Sequence, residues 1–322
     1  MNMVFVAVYS VLLGGCGAFL FCRYGGGLFV DIPEERSSHS RPVVKGGGAG
    51  LLVAFLVTSV WVKADPVFVF AVAAVSIMGL IGDSTELSPL FRLFVQSVLS
   101  FLFAVSLIDF QGATTLGWFI VVFWSFFIAA TANFFNFMDG IDGIATLTGI
   151  TAFCLICLFM FIKGSIDNYL TIAVSILFAC LGFLPFNFPG ARVFMGDTGS
   201  LLLGFLFAGF VCRYSVSIDD VVLMISFLFP FYADVLSTMV VRIKRRENLL
   251  RPHRRHLYQM LANEHCVPHW KVSLIYAVSQ ACIGLSLISI YLYIPNMLIP
   301  VISILFLVFT ALSVIVREKK TI

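Results

Sequence analysis

Eleven stretches of nearly unbroken apolar residues run along the 322-residue chain, separated by short polar breaks. They lie near 3–22, 46–62, 67–82, 93–108, 116–132, 144–162, 168–186, 199–212, 221–241, 272–293 and 297–316. About 20 apolar residues in a helix match the hydrocarbon thickness of a bilayer, and a helix satisfies its own backbone polar groups there. The pattern predicts an all-α, polytopic integral membrane protein with about 11 transmembrane helices, forming one domain over 1–322. The stretches 67–82 and 199–212 are short for a crossing and need neighbouring helices or a thinned bilayer. The first stretch lacks the basic leader and small-residue cleavage site of a signal peptide, so it is read as the first helix.

Composition removes the main alternatives. With 60% hydrophobic and 11% charged residues and a mean hydropathy of +1.04, the chain is no soluble globular domain, which carries about 25% charge. When the spans are numbered in order, seventeen of the twenty Lys and Arg fall on one side: Arg23, Arg36, Arg41, Lys45, Arg92, Arg192, the cluster between Arg242 and Lys271, Arg317, Lys319 and Lys320. Lys63, Lys163 and Arg213 fall on the other. By the positive-inside rule the amino terminus is outside, the basic loops and carboxyl terminus are cytoplasmic, and the span count is odd. The net charge of +3 thus sits on one membrane face and points to anionic ligands or lipids, not nucleic acid. Seven of the eight cysteines lie in apolar stretches, where Cys154 and Cys157 share a helix face and read as packing. Cys266, with His265 and His269, lacks a fourth ligand for zinc.

The outside loops are short hairpin turns, whereas the inside loops carry nearly every polar residue of interest, so chemistry is expected at the cytoplasmic face. Ionisable groups are costly at a membrane boundary and mark function there. In the first inside loop, Gly46, Gly47 and Gly48 open a helix and permit close backbone approach, and Arg36, Arg41 and Lys45 offer charge to a phosphate; helix packing and membrane anchoring are the alternative. In the second, between Gly82 and Arg92, Asp83 is a helix cap, a metal ligand or a base. The third holds two amides, Asn133 and Asn136, and two carboxylates, Asp139 and Asp142, which share a face if the turn is helical. Hard oxygens and directional hydrogen bonds suit a nucleotide-sugar or metal–phosphate site. The fourth places Asn187, Arg192 for a phosphate, Phe194 to stack on a base, and Asp197 as an N-cap or, with Thr198 and Ser200, a magnesium ligand. In the last, the run 242–246 suits anionic head groups, and His253 and His256 flank Arg254, ready to meet a diphosphate. Asp234 lies in an apolar stretch and needs a partner, for which Arg242 is a candidate.

Over nearly the whole chain these loops resemble the polyprenyl-phosphate N-acetylhexosamine-1-phosphate transferases, the integral membrane family of MraY and WecA. The motifs follow in family order: Asp-x-Pro…His…Pro…Gly-Gly, Asp-x-x-x-Leu-Ser-Pro, Asn-x-x-Asn-x-x-Asp-Gly-x-Asp-Gly, Phe-Met-Gly-Asp-x-Gly-Ser and a terminal basic His loop. The third and fourth are the most specific. The resemblance implies Mg2+, with Mn2+ as a substitute, on Asp197 with Asp83 nearby. It implies Asn187 on the amino sugar, Phe194 and Asp142 on uracil, and Asn133, Asn136 and Asp139 in the same cleft. Lys45, Arg92, Arg192, Arg254, His253 and His256 would face phosphates, with Asp83, Asp139, Asp197 and His256 as the catalytic set. The implied reaction joins a UDP-linked N-acetylated hexosamine, or its 6-deoxy relative, to undecaprenyl phosphate with release of UMP, at the cytoplasmic face of a bacterial inner membrane; a homodimer is a further implied partner.

The chain departs from the family in two places. Gly82 stands where the family carries the first of two paired acids. The His loop lacks the consecutive histidines of MraY and resembles the His-Arg-x-His-x-Tyr-Gln form of WbpL-type enzymes, which points to lipopolysaccharide O-antigen or a related surface polysaccharide. The rival is a membrane transporter of lipid-linked sugars or anions. It would place ionisable groups near mid-bilayer on several helices, whereas Asp234 is the main one here.

Overall fold

Helix starts follow local chemistry. Asp65 and Ser88 precede helices that open on Pro66 and Pro89, and each side chain accepts from the backbone N–H three residues on, Phe68 at 2.8 Å and Phe91 at 3.2 Å. Proline at the first helical position removes an N–H that has no helical partner anyway. The structure, a computed structural model, describes residues 2–33, 37–85, 87–107, 114–247 and 254–318. In it α1 spans Met3–Tyr24, α2 Ala49–Trp61, α3 Pro66–Ser84, α4 Pro89–Ser106, α5 Thr115–Phe137, α6 Ile144–Ile162 and α7 Asn168–Asn187. Then follow α8 Gly196–Tyr214, α9 Ile218–Ser226, α10 Phe229–Lys244, the single turn α11 Leu257–Gln259, α12 His269–Tyr293 and α13 Leu298–Glu318.

The protein is all-α and polytopic. Each predicted span falls on a helix, except that the ninth is two helices, α9 and α10, bent by 85°. Among the described residues eight helices are long and apolar enough to cross a bilayer, nine if the bent pair is one span. The remaining two are special. With 13 residues, α2 rises about 20 Å, less than the roughly 30 Å of hydrocarbon. In α8, Asp197 lies in the first turn and Arg213 in the last, and every residue from Thr198 to Val211 is buried. A helix apolar all round belongs in the interior, and α8 packs on α2, α3, α5, α6 and α9. Its start at Gly196, three residues before the predicted boundary, matters for the site.

The odd-numbered connections meet at one end of the bundle. There Phe194 N donates to Val44 O (2.8 Å) and Tyr258 OH to Phe137 O (2.9 Å). Gly143 N donates to Asn187 Oδ1 (3.1 Å), and Ser273 Oγ to Asp142 O (2.7 Å). At the opposite end Asn168 Nδ2 donates to Val62 O (2.8 Å), and Lys163 and Tyr291 both hold Asp220. The bent pair therefore counts as one passage. Between the two ends Ser175 Oγ meets Ser10 Oγ (2.8 Å) and Thr58 Oγ1 (2.7 Å), tying α7 to α1 and α2 by the interhelical hydrogen bonds that hold bundles together where lipid supplies no hydrophobic drive.

Candidate active site

The N-terminus of α8 is the focus. Its N-cap residue, Met195, makes no side-chain cap, and Asp83 at the end of α3 supplies one instead. Asp83 Oδ1 accepts from Asp197 N (3.0 Å), and Oδ2 accepts from Thr198 N (3.2 Å) and Thr198 Oγ1 (2.8 Å). The carboxylate thereby meets the positive end of the helix dipole. Gly196 makes this fit possible. Its φ is +72°, and a Cβ there would meet the Asp83 carboxylate and Gly46 N. Asp83 is thus a cap, but of α8 and not of its own helix, and Asp197 is not the N-cap that the sequence allowed.

Asp197 then points into the cleft, held by one donor on each oxygen. Asn136 Nδ2 donates to Oδ1 at 2.7 Å, and Arg92 Nη2 pairs with Oδ2 at 2.7 Å. Asn136 also reaches Ser200 Oγ (2.9 Å). One turn back on α5, Asn133 donates to Ala129 O (2.8 Å) and to Gln96 Oε1 of α4. A Cβ on Gly82 would lie 3.6 Å from Asp197 Oδ2, in ordinary contact, so an acid at 82 would stand beside Asp197.

Because α5 ends at Phe137, Asp139 and Asp142 lie in a turn and do not share a helix face. Asp142 pairs with His269 of α12 (3.4 Å), away from the cleft. Asp139 lines the cleft, and burial, then the charges of Asp197 and Asp83, push its carboxyl up to about 8. The native protein keeps that proton where an unfolded carboxyl, near 3.8, has lost it. Its contribution to stability in metal-free protein therefore falls as pH rises between about 4 and about 8. A cation among these carboxylates favours the charged form and reverses the sign. The rise in thermal midpoint on adding Mg2+ is expected to be larger near pH 9 than near pH 6; equal rises at both would remove the cation from this cluster.

The opposite wall comes from the first loop. Its short ribbon, β1 (Val30–Asp31) paired with β2 (Val43–Val44), runs on into a parallel bridge between Val44 and Val193. The glycines approach protein backbone here: Gly47 N donates to Phe194 O (3.0 Å) and Gly48 N to Met195 O (2.9 Å), and a Cβ on Gly48 would strike Gly199. Lys45 faces the cleft beside Phe194. The His39 ring stands edge-on to Phe194, with centroids 5.0 Å apart, and its Nε2 lies 3.7 Å from Asp31 Oδ2.

The last loop closes the cleft. His256 is buried and lines it, with Nδ1 3.7 Å from Asp234 Oδ1 and its ring stacked on Tyr258. Asp234 is not paired with Arg242, which lines the cleft and reaches Glu247 (3.4 Å). Arg254 is exposed, and His253 lies outside the described residues.

The structure thus brings together Lys45, Asp83, Arg92, Asn133, Asn136, Asp139, Phe194, Asp197 and His256. Among the described lining residues Asp142, Asn187, Arg192 and Arg254 are absent. Asn187 is 3% exposed; its Oδ1 accepts from Gly143 N and Thr146 Oγ1, and its Nδ2 donates to Val193 O, so it staples two of the loops. Arg192 donates to Pro185 O (2.9 Å) and lies over the Phe186 ring. His39, Gln96 and Gln259 are not among the site residues the sequence predicts; His39 and Gln259 stand in the first and last motifs and line the cleft, and Gln96 meets Asn133.

The cleft holds about 1430 Å³. Beyond the polar cluster it continues as an apolar groove between α4 (Phe94, Val98, Phe101) and α5 (Val122, Phe126, Ala130). Among the described residues no three His, Cys, Asp or Glu side chains form a metal cage. Asp197 with Asp83 and Asp139 nearby instead gives an open, oxygen-only rim, which fits an ion that keeps its waters and takes one or two carboxylates plus phosphate oxygens, as Mg2+ does.

Residues 66–215, which carry Asp83, Asn136, Asp139 and Asp197, match the family model described as glycosyl transferase family 4. The chain is 26% identical over 254 residues to an undecaprenyl-phosphate alpha-N-acetylglucosaminyl 1-phosphate transferase of Thermotoga maritima, covering 77% of each. Shorter matches are to a phospho-N-acetylmuramoyl-pentapeptide-transferase of Staphylococcus saprophyticus, 41% identical over 25% of this chain and 26% of the relative, and to a decaprenyl-phosphate N-acetylglucosaminephosphotransferase of Mycobacterium leprae, 32% over 30% and 29%. The loops of the matched segment, with Asp83, Asn136, Asp139 and Asp197, gather around one cleft, and over that segment the chain is similar to glycosyl transferase family 4.

Proposed function

We propose that the protein transfers an N-acetylated hexosamine 1-phosphate, or its 6-deoxy relative, from a UDP-sugar to undecaprenyl phosphate at the cytoplasmic face of a bacterial inner membrane. The observation that carries this reading is the continuity of one cleft, in which the Asp197–Arg92–Asn136 cluster opens directly into the apolar groove of α4 and α5. Such a cavity suits a substrate whose phosphate must meet a water-borne donor while its tail stays in lipid. The Thermotoga maritima and Mycobacterium leprae relatives, whose names pair undecaprenyl or decaprenyl phosphate with transfer of an N-acetylglucosamine phosphate, support it.

In this mechanism an oxygen of the lipid phosphate attacks the phosphorus next to the sugar, the bond to the UMP phosphate breaks, and UMP leaves. A phosphate monoester is largely ionised at neutral pH, its second pKa being about 6, so the acceptor needs no strong base. Catalysis then rests on positioning and charge. Lys45, Arg92 and His256 face the diphosphate, and Phe194 with His39 forms the corner for the base. Asn136 holds Asp197 on the acidic side of the cleft, and Asn133, bonded to Ala129 O, lines the wall beside it. Asp197, with Asp83 and Asp139 near, is the residue that would hold a magnesium ion, which when bound supplies positive charge to the diphosphate. The His-Arg-x-His-x-Tyr-Gln loop supports a role in starting O-antigen or a related surface polysaccharide.

The test is direct. Purified protein with undecaprenyl phosphate, Mg2+ and a panel of UDP-N-acetylhexosamines and their 6-deoxy counterparts is expected to release UMP and form a lipid-linked diphosphate sugar with at least one donor. No UMP from any donor would defeat the proposal.

A further inference from the structure

A carboxylate inside a membrane protein is expensive unless every lone pair is met, and Asp234, fully buried in α10, has an unusually complete set of donors. Oδ1 accepts from Leu257 N at 2.7 Å and from Thr238 Oγ1 at 3.2 Å; Oδ2 accepts from Tyr258 N at 3.1 Å and from Tyr276 OH at 2.7 Å. Two of the four belong to the first turn of α11, directly after His256. The imidazole Nδ1 of His256 lies 3.7 Å from Asp234 Oδ1. Arg317, near the end of α13, donates to Thr238 Oγ1 at 2.7 Å, so a countercharge reaches the carboxylate through that hydroxyl.

We infer that Asp234 is a positioning residue for the transfer reaction, acting through His256: it fixes where the last loop begins and so where the imidazole stands in the cleft wall. Where the imidazole stands decides whether a substrate phosphate can reach it in line. The backbone part of the network supplies the constraint. The N–H groups of Leu257 and Tyr258 converge on one side chain of a different helix, so α11 cannot rotate without breaking both bonds. Tyr258 in turn donates to Phe137 O, at the end of the helix that carries Asn133 and Asn136. Asp234 therefore ties the His256 wall of the cleft to the wall that holds Asp197, without touching the cleft's contents.

This inference rests on the transferase reading, and the experiment separates the two. Asp234→Asn, His256→Ala and the double variant are compared in purified full-length protein, using the UDP-sugar of the panel that turns over fastest. If Asp234 acts through His256, Asp234→Asn lowers kcat by about a hundredfold with the KM for the UDP-sugar within about twofold. In the His256→Ala background it then costs less than about twofold more, because residues that act as one unit are not additive. A merely structural carboxylate would give losses that multiply, and that result overturns the inference while leaving the transferase reading standing. Tyr276→Phe, which removes one donor and keeps the ring, is run through the same cycle in case Asp234→Asn does not fold. If neither variant accumulates as monodisperse protein, or if kcat per folded molecule is unchanged, Asp234 serves the fold alone and the inference falls. No turnover by the wild type would overturn the transferase reading and this inference with it.

Discussion

Asp197→Asn is expected to reduce UMP release by about a thousandfold without loss of folded protein. In the native cleft both carboxylate oxygens accept, one from Asn136 and one from Arg92. An asparagine keeps one acceptor, so in either amide orientation its NH2 group faces a donor and one of the two contacts becomes a clash. The lost negative charge matters more. Two unit charges about 4 Å apart interact by roughly 4 kcal/mol at an effective dielectric near 20, and about 1.4 kcal/mol is a tenfold change in rate. Losing one such interaction with a divalent ion or a phosphate-bound cation thus corresponds to about three decades. Folding is spared because the cap on α8 uses the backbone N–H groups of Asp197 and Thr198 with Asp83 as acceptor, and that arrangement does not depend on the side chain at 197. The measurements are UMP release under saturating substrates, together with the thermal midpoint with and without Mg2+. Turnover within about tenfold of wild type, or a Mg2+ response that survives the substitution, would move the charge-bearing centre elsewhere.

Much of this site could be read from the sequence because membrane burial makes polar residues conspicuous. Asn133, Asn136, Asp139, Asp197 and Asp83 stand out between apolar stretches, and the parity of the spans puts them at one end, where the structure gathers them. What could not be read is which polar residues face the cleft and which hold the loops. Asn187 and Asn136 are both amides at helix ends in specific motifs, yet the first is consumed by Gly143, Thr146 and Val193 while the second reaches Asp197. Only side-chain direction distinguishes them. Asp142 turns to His269, a partner 127 positions away in the chain. Asp234 needs a partner, as its apolar setting predicts, but nearness in sequence points to Arg242, whereas three of its four donors come from α11 and α12. The break between α9 and α10 left one trace, Pro230 in the first turn of α10. A proline is as much at home at a helix start as at a kink, so hydropathy alone carried the span through it.

The groove makes the second large prediction. Ala130→Trp, on the α5 side facing Phe94 and Val98, is expected to lower kcat/KM for undecaprenyl phosphate by about a hundredfold while the KM for the UDP-sugar stays within about twofold. The reason is geometric. A polyprenyl tail leaving bilayer for groove exchanges one apolar surface for another, so burial adds little binding free energy. What the groove contributes is alignment, holding the acceptor phosphate at one distance from Asp197 and Arg92, and a misplacement of about 1 Å can cost about a hundredfold in rate. An indole at 130 fills the channel that the α4 and α5 side chains leave open and pushes the tail aside without touching the polar cluster. A short-chain polyprenyl phosphate, too short to reach past Ala130, should then lose less than about threefold. The comparison of the two acceptors carries the test, since a general disturbance of the cleft lowers both alike. Equal losses for long and short acceptors, or a parallel rise in the KM for the UDP-sugar, would place the tail along another face of the bundle.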